Sequence, residues 1–313
     1  MMEYAAYRFG CRLTTEACLP PFKGSTIRGV FGRALKQVVC ALRRTDCNGC
    51  LLRAQCLYPL VFENPSVMPA PKSQRGYTSH PHPFVIRLPK GTQTRYSLGD
   101  LLDFQLIFFG TVNQHLPYFI YALKEMGRIG LGRRINGRRG RFSLEFVTND
   151  SQCIYSEKTG ILVPILPIDL QLALLPSFKS SPRRDLTLFL KTPLRIKKNN
   201  HLKDKLPFDL LIRTALRRIA SLMTYYDSGE PDIDYHGLIQ LAETIKIKNH
   251  KLRWHDWNRY SFRQRERLKI GGLLGRITYA DVPATFLPLI DFVQKVHLGK
   301  QTTFGMGEIA VGG

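Results

Sequence analysis

From Tyr4 to Val147 the apolar spacing changes period in a fixed order. Tyr4–Thr14 alternates like a strand; Ser25–Leu42 repeats apolar residues at Ile27, Val30, Phe31, Leu35 and Val38, as an amphipathic helix with Ser25 as N-cap does. Phe84–Leu88 and Leu101–Phe109 read as strands, His115–Met126 as a helix with Pro117 near its start, and Arg141–Val147 as a further strand. Strand, helix, strand, strand, helix, strand is the ferredoxin-like unit, which also underlies the RNA recognition motif. The second half repeats it: strand Leu186–Ile196, helix Pro207–Tyr226, strand Leu273–Tyr279, helix Ala284–Val296 and a closing strand at Ile309–Val311, with one strand unplaced near 227–250. The expected class is therefore α+β, with tandem ferredoxin-like domains over 1–150 and 151–313. The break is set where Asn149, Asp150, Ser151 and Gly160 interrupt the apolar pattern.

Charge narrows the partners. The chain has 46 Lys and Arg against 24 Asp and Glu, a formal net charge of +22, and its 44% hydrophobic content is enough to fill a core. Such an excess concentrates polyanions by Coulomb attraction and counterion release, so nucleic acid or an anionic membrane surface leads the list. A membrane is disfavoured: the longest apolar run, Ile161–Pro176, holds Asp169 and three prolines. Met1–Gly10 lacks the apolar core of an export signal, so a cytoplasmic location is expected.

Four of the seven cysteines, Cys40, Cys47, Cys50 and Cys56, fall within seventeen residues, and the Cys47–Cys50 pair has knuckle spacing. In a reducing compartment such thiols are metal ligands or simply reduced. Zinc suits four thiolates in a structural site, because it needs no redox change and its binding energy can hold a segment too poor in core to fold alone. An iron–sulfur cluster uses the same ligands and ranks below zinc, and unligated cysteines near a helix end are the remaining reading.

Three stretches carry the cationic and glycine signals. MGRIGLGRRINGRRGRF (126–142) packs Arg128, Arg133, Arg134, Arg138, Arg139 and Arg141 among five glycines. Exposed backbone N–H groups and forked guanidiniums together suit a phosphate backbone, against the blander reading of a solvated loop. HLGKQTTFGMG (297–307) sets His297, Lys300, two hydroxyls including Thr303, and Phe304 around Gly299, Gly305 and Gly307. It lacks the phosphate-cradling order of a nucleotide-binding loop, and a tight turn closing the final strand reads equally well. Lys246–Lys269 carries nine Lys or Arg, including Arg259 and Arg263, against Asp256 and Glu266, and interleaves Trp254, Trp257, Tyr260 and Phe262. Bases can stack on such rings while phosphates are neutralised, although the rings are equally suited to a core.

Taken in order, these segments resemble the CRISPR-associated endoribonucleases of the RAMP superfamily that cut precursor CRISPR RNA within its repeats. GSTIRGVFGRAL (24–35) is similar to the family's first-helix motif and HLGKQTTFGMG to its C-terminal glycine-rich loop. WHDWNRYSFRQ (254–264), GGLLGRITY (271–279) and the four-cysteine insertion are similar to a bacterial branch. The resemblance implies two ferredoxin-like domains with a cleft for CRISPR repeat RNA, and an effector complex as a further partner. It also implies metal-independent attack of a ribose 2′-hydroxyl on the adjacent phosphate, leaving a 2′,3′-cyclic phosphate and a 5′-hydroxyl. A non-catalytic RAMP subunit that binds the same RNA is the alternative. Many members place a catalytic histidine in or near the first helix, where Gly24–Leu42 has none. His297 is then the first candidate base, with Lys300, His255, Tyr260 and Arg33 completing the candidate acid–base and charge-stabilising set. Lys23, Arg28 and Lys36 would supply positive charge from the helix side.

Overall fold

The computed structural model describes residues 2–43, 46–63, 80–172, 181–198, 201–202, 204–227, 229–261 and 266–312. The chain divides into two compact units, Met2–Asp169 with Tyr225–Asp227, and Leu170–Thr224 with Ser228–Gly313. The division falls at 169/170 rather than 150, because a strand beyond 150 still belongs to the first sheet.

In the N-terminal unit, β1 (Met2–Leu13) is followed by β2 (Ala17–Cys18), α1 (Gly24–Val39), β3 (Phe84–Arg87), β4 (Arg95–Tyr96), β5 (Leu101–Phe109) and α2 (Leu116–Ile129). β6 (Leu131–Ile135), β7 (Arg138–Gly140), β8 (Phe142–Asn149), β9 (Gln152–Ser156) and β10 (Ile168–Leu170) follow. The main sheet has the order β3-β5-β1-β8-β9, with β10 also pairing β1, so the first strand lies between the third and fourth of the expected unit. β1 runs antiparallel to both neighbours, with Phe9 opposite Phe104 on one side and Val147 on the other. Ala5, Tyr7, Phe9, Cys11 and Leu13 alternate onto the core face. α1 and α2 cover that face with Ile27, Phe31, Ala34 and Leu35 and with Phe119, Leu123 and Met126. Phe108 stacks on Phe119 with ring centroids 4.3 Å apart, and Phe31 meets Phe84 edge-on at 5.9 Å. A second sheet, β4-β2-β6-β7, was not foreseen. Its strands are two to five residues long, too short to show a period.

The C-terminal unit repeats the plan. β11 (Arg183–Leu194), α3 (Phe208–Tyr226), α4 (Tyr235–Glu243), β14 (Ile247–Ser261), β15 (Glu266–Pro283), α5 (Leu287–Val296) and β16 (Ile309–Val311) build a sheet of order β14-β15-β11-β16. Between β11 and α3 the short strands β12 (Lys197–Lys198) and β13 (His201–Leu202) pair only with each other. Leu186, Leu188 and Leu190 of β11, Ile277 and Tyr279 of β15, and Ile290 and Val293 of α5 are buried. The Tyr279 hydroxyl donates to the Leu206 carbonyl at 2.8 Å, which satisfies its one polar atom inside the core.

The unplaced strand is β14, fifteen residues long and coinciding with the basic, aromatic stretch. Its polar composition hid it. As the sheet's edge strand it needs only one apolar neighbour, and a charged edge also resists pairing with other chains. β15 runs on past its partner: its pairing with β11 ends at Leu194–Leu273, whereas pairing with β14 continues from Trp254–Leu273 to Ser261–Glu266. The two strands thus leave the sheet as a two-stranded ribbon.

Replacing Phe108, fully buried and stacked on Phe119, with Ala should lower unfolding stability by about 3–5 kcal/mol, read from denaturant midpoints.

Candidate nucleic-acid interface

The arginine-rich stretch folds as a β-hairpin. Asn136 and Gly137 have φ of 48° and 80°, both left-handed, which matches the two-residue turn whose twist suits paired strands. The Asn-Gly pair between Ile135 and Arg138 was the available sequence signal for it. β6 hydrogen-bonds to β2 at Cys18–Arg133, so the hairpin is fastened to the β1–α1 connection. Arg133, Arg134 and Arg138 are exposed and take part in no ion pair among the described residues. Arg139 is half-committed, donating to the Gly132 carbonyl at 2.8 Å. Arg128 is exposed and 3.7 Å from Glu125, and Arg141, also exposed, is anchored through its backbone N–H to Thr15 Oγ1 at 2.8 Å.

The α1 cations divide. Arg33 is exposed, and Arg28 lies over the Phe62 ring at 5.3 Å. Lys23, expected on the RNA-binding surface, is instead 2% exposed, its ammonium 3.4 Å from the Pro21 carbonyl and near the Tyr96 ring. Burial lowers its pKa. Lys36 is turned the other way, hydrogen-bonded to the Cys47 sulfur and 5.0 Å from the Tyr58 ring. Burial pulls its pKa down, but Cys47, Tyr58 and Glu63 together outweigh that and raise it. Neither ammonium is presented to a polyanion.

The C-terminal glycine-rich loop is more structural than its sequence indicates. His297 is fully buried, with Nδ1 3.2 Å from the Met306 carbonyl, so its ring does not meet a substrate and the expectation of a general base there is withdrawn. Thr303 and Gly305 are buried as well, which removes them from the expected contact surface; Gly299 and Phe304 are partly exposed and Lys300 is exposed. The loop closes on β11: Leu298 N–H donates to the Gly307 carbonyl at 2.9 Å, Gly307 N–H to Pro193 at 3.1 Å, and Lys300 N–H to Arg195 at 2.8 Å. Gly307 has φ 75°, and a Cβ there would lie 1.8 Å from the Leu298 carbonyl oxygen, so no side chain fits.

Arg195, which the sequence did not single out, joins this loop to the ribbon. Its carbonyl accepts from Lys300 while its guanidinium donates to the Gly271 carbonyl at 3.0 Å, at the ribbon's base. Arg218 supports the loop from α3, donating to the Val296 carbonyl at 3.0 Å. No local pattern could reveal either residue, because their partners lie 76 or more positions along the chain. On the ribbon, His255 is partly buried, pairs with Gly272 across the strands and meets Trp257 edge-on at 4.4 Å. Trp254 Nε1 donates to Asp256 at 2.9 Å. Arg259 and Tyr260 stand opposite Leu268 and Arg267 in the backbone register, whereas Arg263 and Phe262 lie outside the described residues.

Cys40, Cys47, Cys50 and Cys56 are free thiols, and among the described residues no three His, Cys, Asp or Glu side chains gather as a metal site. Nor is any described helix long and apolar enough to cross a membrane.

Comparison with known proteins agrees with this architecture. Residues 2–165 match the AF_1859_N family, an N-terminal domain, and residues 188–309 match the CRISPR-associated endoribonuclease Cas6 family. An uncharacterized protein of Archaeoglobus fulgidus is 26% identical over 92% of this chain and 91% of its own. Thermus thermophilus Cas6 superposes with a TM-score of 0.56 at 13% identity, covering 99% of both chains. A partial Cas6-RT-Cas1–Cas2 complex gives 0.58 at 15% identity over 100% of this chain, which spans 46% of that one. Two ferredoxin-like units in tandem are the fold shared with these Cas6 structures. The match over residues 2–165 spans just over half of the chain, which belongs to the AF_1859_N family, and residues 188–309 carry a Cas6 endoribonuclease family match.

Two glycines test the loop. Gly307→Ala should cost more than about 1 kcal/mol and lower the melting temperature. Gly29→Ala, in α1 with nothing within 4 Å of its Cβ position, should be neutral or gain about 0.5–1 kcal/mol.

Proposed function

We propose that this protein binds and processes CRISPR RNA, cutting repeat RNA by attack of a ribose 2′-hydroxyl on the adjacent phosphate. The observation that carries the reading is the β6–β7 hairpin, where Arg133, Arg134 and Arg138 stand exposed and outside any ion pair among the described residues. Guanidiniums kept free of carboxylates in an acid-poor chain are available to phosphate oxygens. The Cas6 family match and Cas6 neighbours, one a product complex, support RNA as the polyanion.

In this reaction a base takes the 2′-hydroxyl proton, the 2′-oxygen bonds to phosphorus, the P–O5′ bond breaks, and an acid protonates the departing 5′-oxygen. Cations stabilise the phosphorane charge between these events. With His297 buried, the remaining candidates are His255 and Tyr260 for proton transfer, and Lys300 and Arg33 for charge. No step calls on a metal ion. The burial of His297, with no histidine in α1, favours a second reading: a non-catalytic RAMP subunit that holds CRISPR RNA within a larger CRISPR assembly.

Labelled repeat RNA incubated with the protein in excess EDTA separates the two. The nuclease yields a 2′,3′-cyclic phosphate end and leaves RNA with a 2′-deoxy nucleotide at the cut site intact. Uncut RNA in every buffer identifies the binding subunit, and cleavage of the deoxy substrate excludes 2′-hydroxyl attack. Replacing Arg134 and Arg138 together with Ala should weaken RNA binding. The slope of log K against log salt should flatten by about 0.7 for each phosphate of a single strand that the variant no longer neutralises. An unchanged slope removes the hairpin from the interface.

A further inference from the structure

The four-cysteine segment takes no part in the RNA reading, and its physical situation is unusual. From Cys40 to Cys56 the described residues form neither helix nor strand. Of these only Cys47 is buried, while Leu42, Leu51 and Leu52 are 48%, 98% and 46% exposed. Apolar burial therefore contributes almost nothing to fixing this stretch, and a segment without a core needs a covalent or metal staple to hold one conformation.

We propose that Cys40, Cys47, Cys50 and Cys56 bind one zinc ion as a closed structural site that fastens this segment to the end of α1. Backbone hydrogen bonds set two of the cysteines at helical turns and two in a turn of knuckle spacing. Cys40 caps α1, its N–H donating to the Lys36 carbonyl at 3.0 Å, and the Cys56 carbonyl accepts from Leu60 N–H at 3.4 Å at the start of the following helical turns. Between them, Cys50 N–H donates to the Cys47 carbonyl at 3.3 Å and Arg53 N–H to the Cys50 carbonyl at 3.0 Å, which folds the Cys-x-x-Cys pair into a tight turn. Such a turn is how two thiolates reach one tetrahedral ion.

The surroundings match the charge of the product. Four thiolates around Zn²⁺ carry a net charge of −2, which cations placed beside the ligands offset. Here the Lys36 ammonium bonds the Cys47 sulfur, and the Arg53 guanidinium, which also pairs with Glu63 at 3.8 Å, reaches the Cys47 carbonyl at 3.4 Å, so two cationic side chains stand beside the ligands. Four thiolates fill the tetrahedron, leaving no open position for chemistry. Among the described residues no three of the thiols share a centre, so metal uptake is coupled to a local rearrangement that brings the four cysteines together.

The full-length protein, purified without chelator and dialysed, should carry about one zinc per chain by elemental mass spectrometry. Cys47→Ser combined with Cys50→Ser should cut this at least about tenfold, whereas Cys153→Ser, an exposed thiol on β9, should leave it unchanged. Should the double variant fail to fold, the wild-type protein still decides: titrating its thiols with a mercurial reagent should release the zinc to a metal-sensitive dye. Less than about a tenth of a zinc per chain after zinc supplementation, or full zinc in the double variant, would overturn the proposal. Iron with acid-labile sulfide in place of zinc would overturn it equally.

Discussion

Both units depend on the placement of their first strand. β1 lies between β5 and β8, and β11 between β15 and β16, so each pairs along both edges and offers one face to two helices. A strand in that position has no freedom of register, since a slip of one residue would turn Phe9 or Leu188 from the core to the other face. What surrounds the sheet inherits its position from this. The β1–α1 connection carries β2, to which the arginine hairpin is fastened. The end of β11 carries Pro193 and Arg195, onto which the glycine-rich loop closes. The basic elements of each unit are therefore attached at a central strand, not hung on distant loops.

Much of this was legible in the sequence, and what was not has identifiable physical causes. The central strands and covering helices have strong periods because they bury one face fully, so β1, β5, β11, α1, α2 and α3 stand close to where spacing placed them. β14 was missed because edge strands in a charged chain carry little alternation. The candidate interface was marked in composition but not in detail: the glycines and arginines marked the segments, while burial decided which side chains are exposed. Lys23 and Lys36 have the same charge as Arg33, yet one is buried at the helix start and the other is bound to a sulfur. Nothing local in the sequence separates them, because the groups that sequester them, Tyr96 and Cys47, arrive from other parts of the chain.

The charge excess has a structural counterpart. Carboxylates are few, and several of them pair with cations outside the hairpin: Asp103 and Glu145 hold Arg8 and Arg12 of β1, Glu157 holds Lys124, and Asp185 holds Lys248. These pairs are substantially exposed and individually worth little. Their consequence is distributional, since they neutralise cations on the sheet and helices while the β6–β7 hairpin keeps its own unneutralised. The hairpin thus presents three guanidiniums, Arg133, Arg134 and Arg138, unpaired among the described residues, on a short element whose turn geometry is fixed by Asn136 and Gly137.

The burial of His297 changes what the glycine-rich loop is for. A histidine at φ 56° whose Nδ1 faces the Met306 carbonyl serves to close the loop, much as Gly307 does by approaching the Leu298 carbonyl. With those side chains turned inward, what the loop presents outward is Lys300, and Arg195 beneath it ties that position to the foot of the β14–β15 ribbon near Gly271. The loop's sequence is thus explained by packing, which leaves Lys300 as the loop's exposed cation. Glycine enrichment in such a loop reflects first the close approach of backbone to backbone, and only through it the placing of charge where a phosphate can be met.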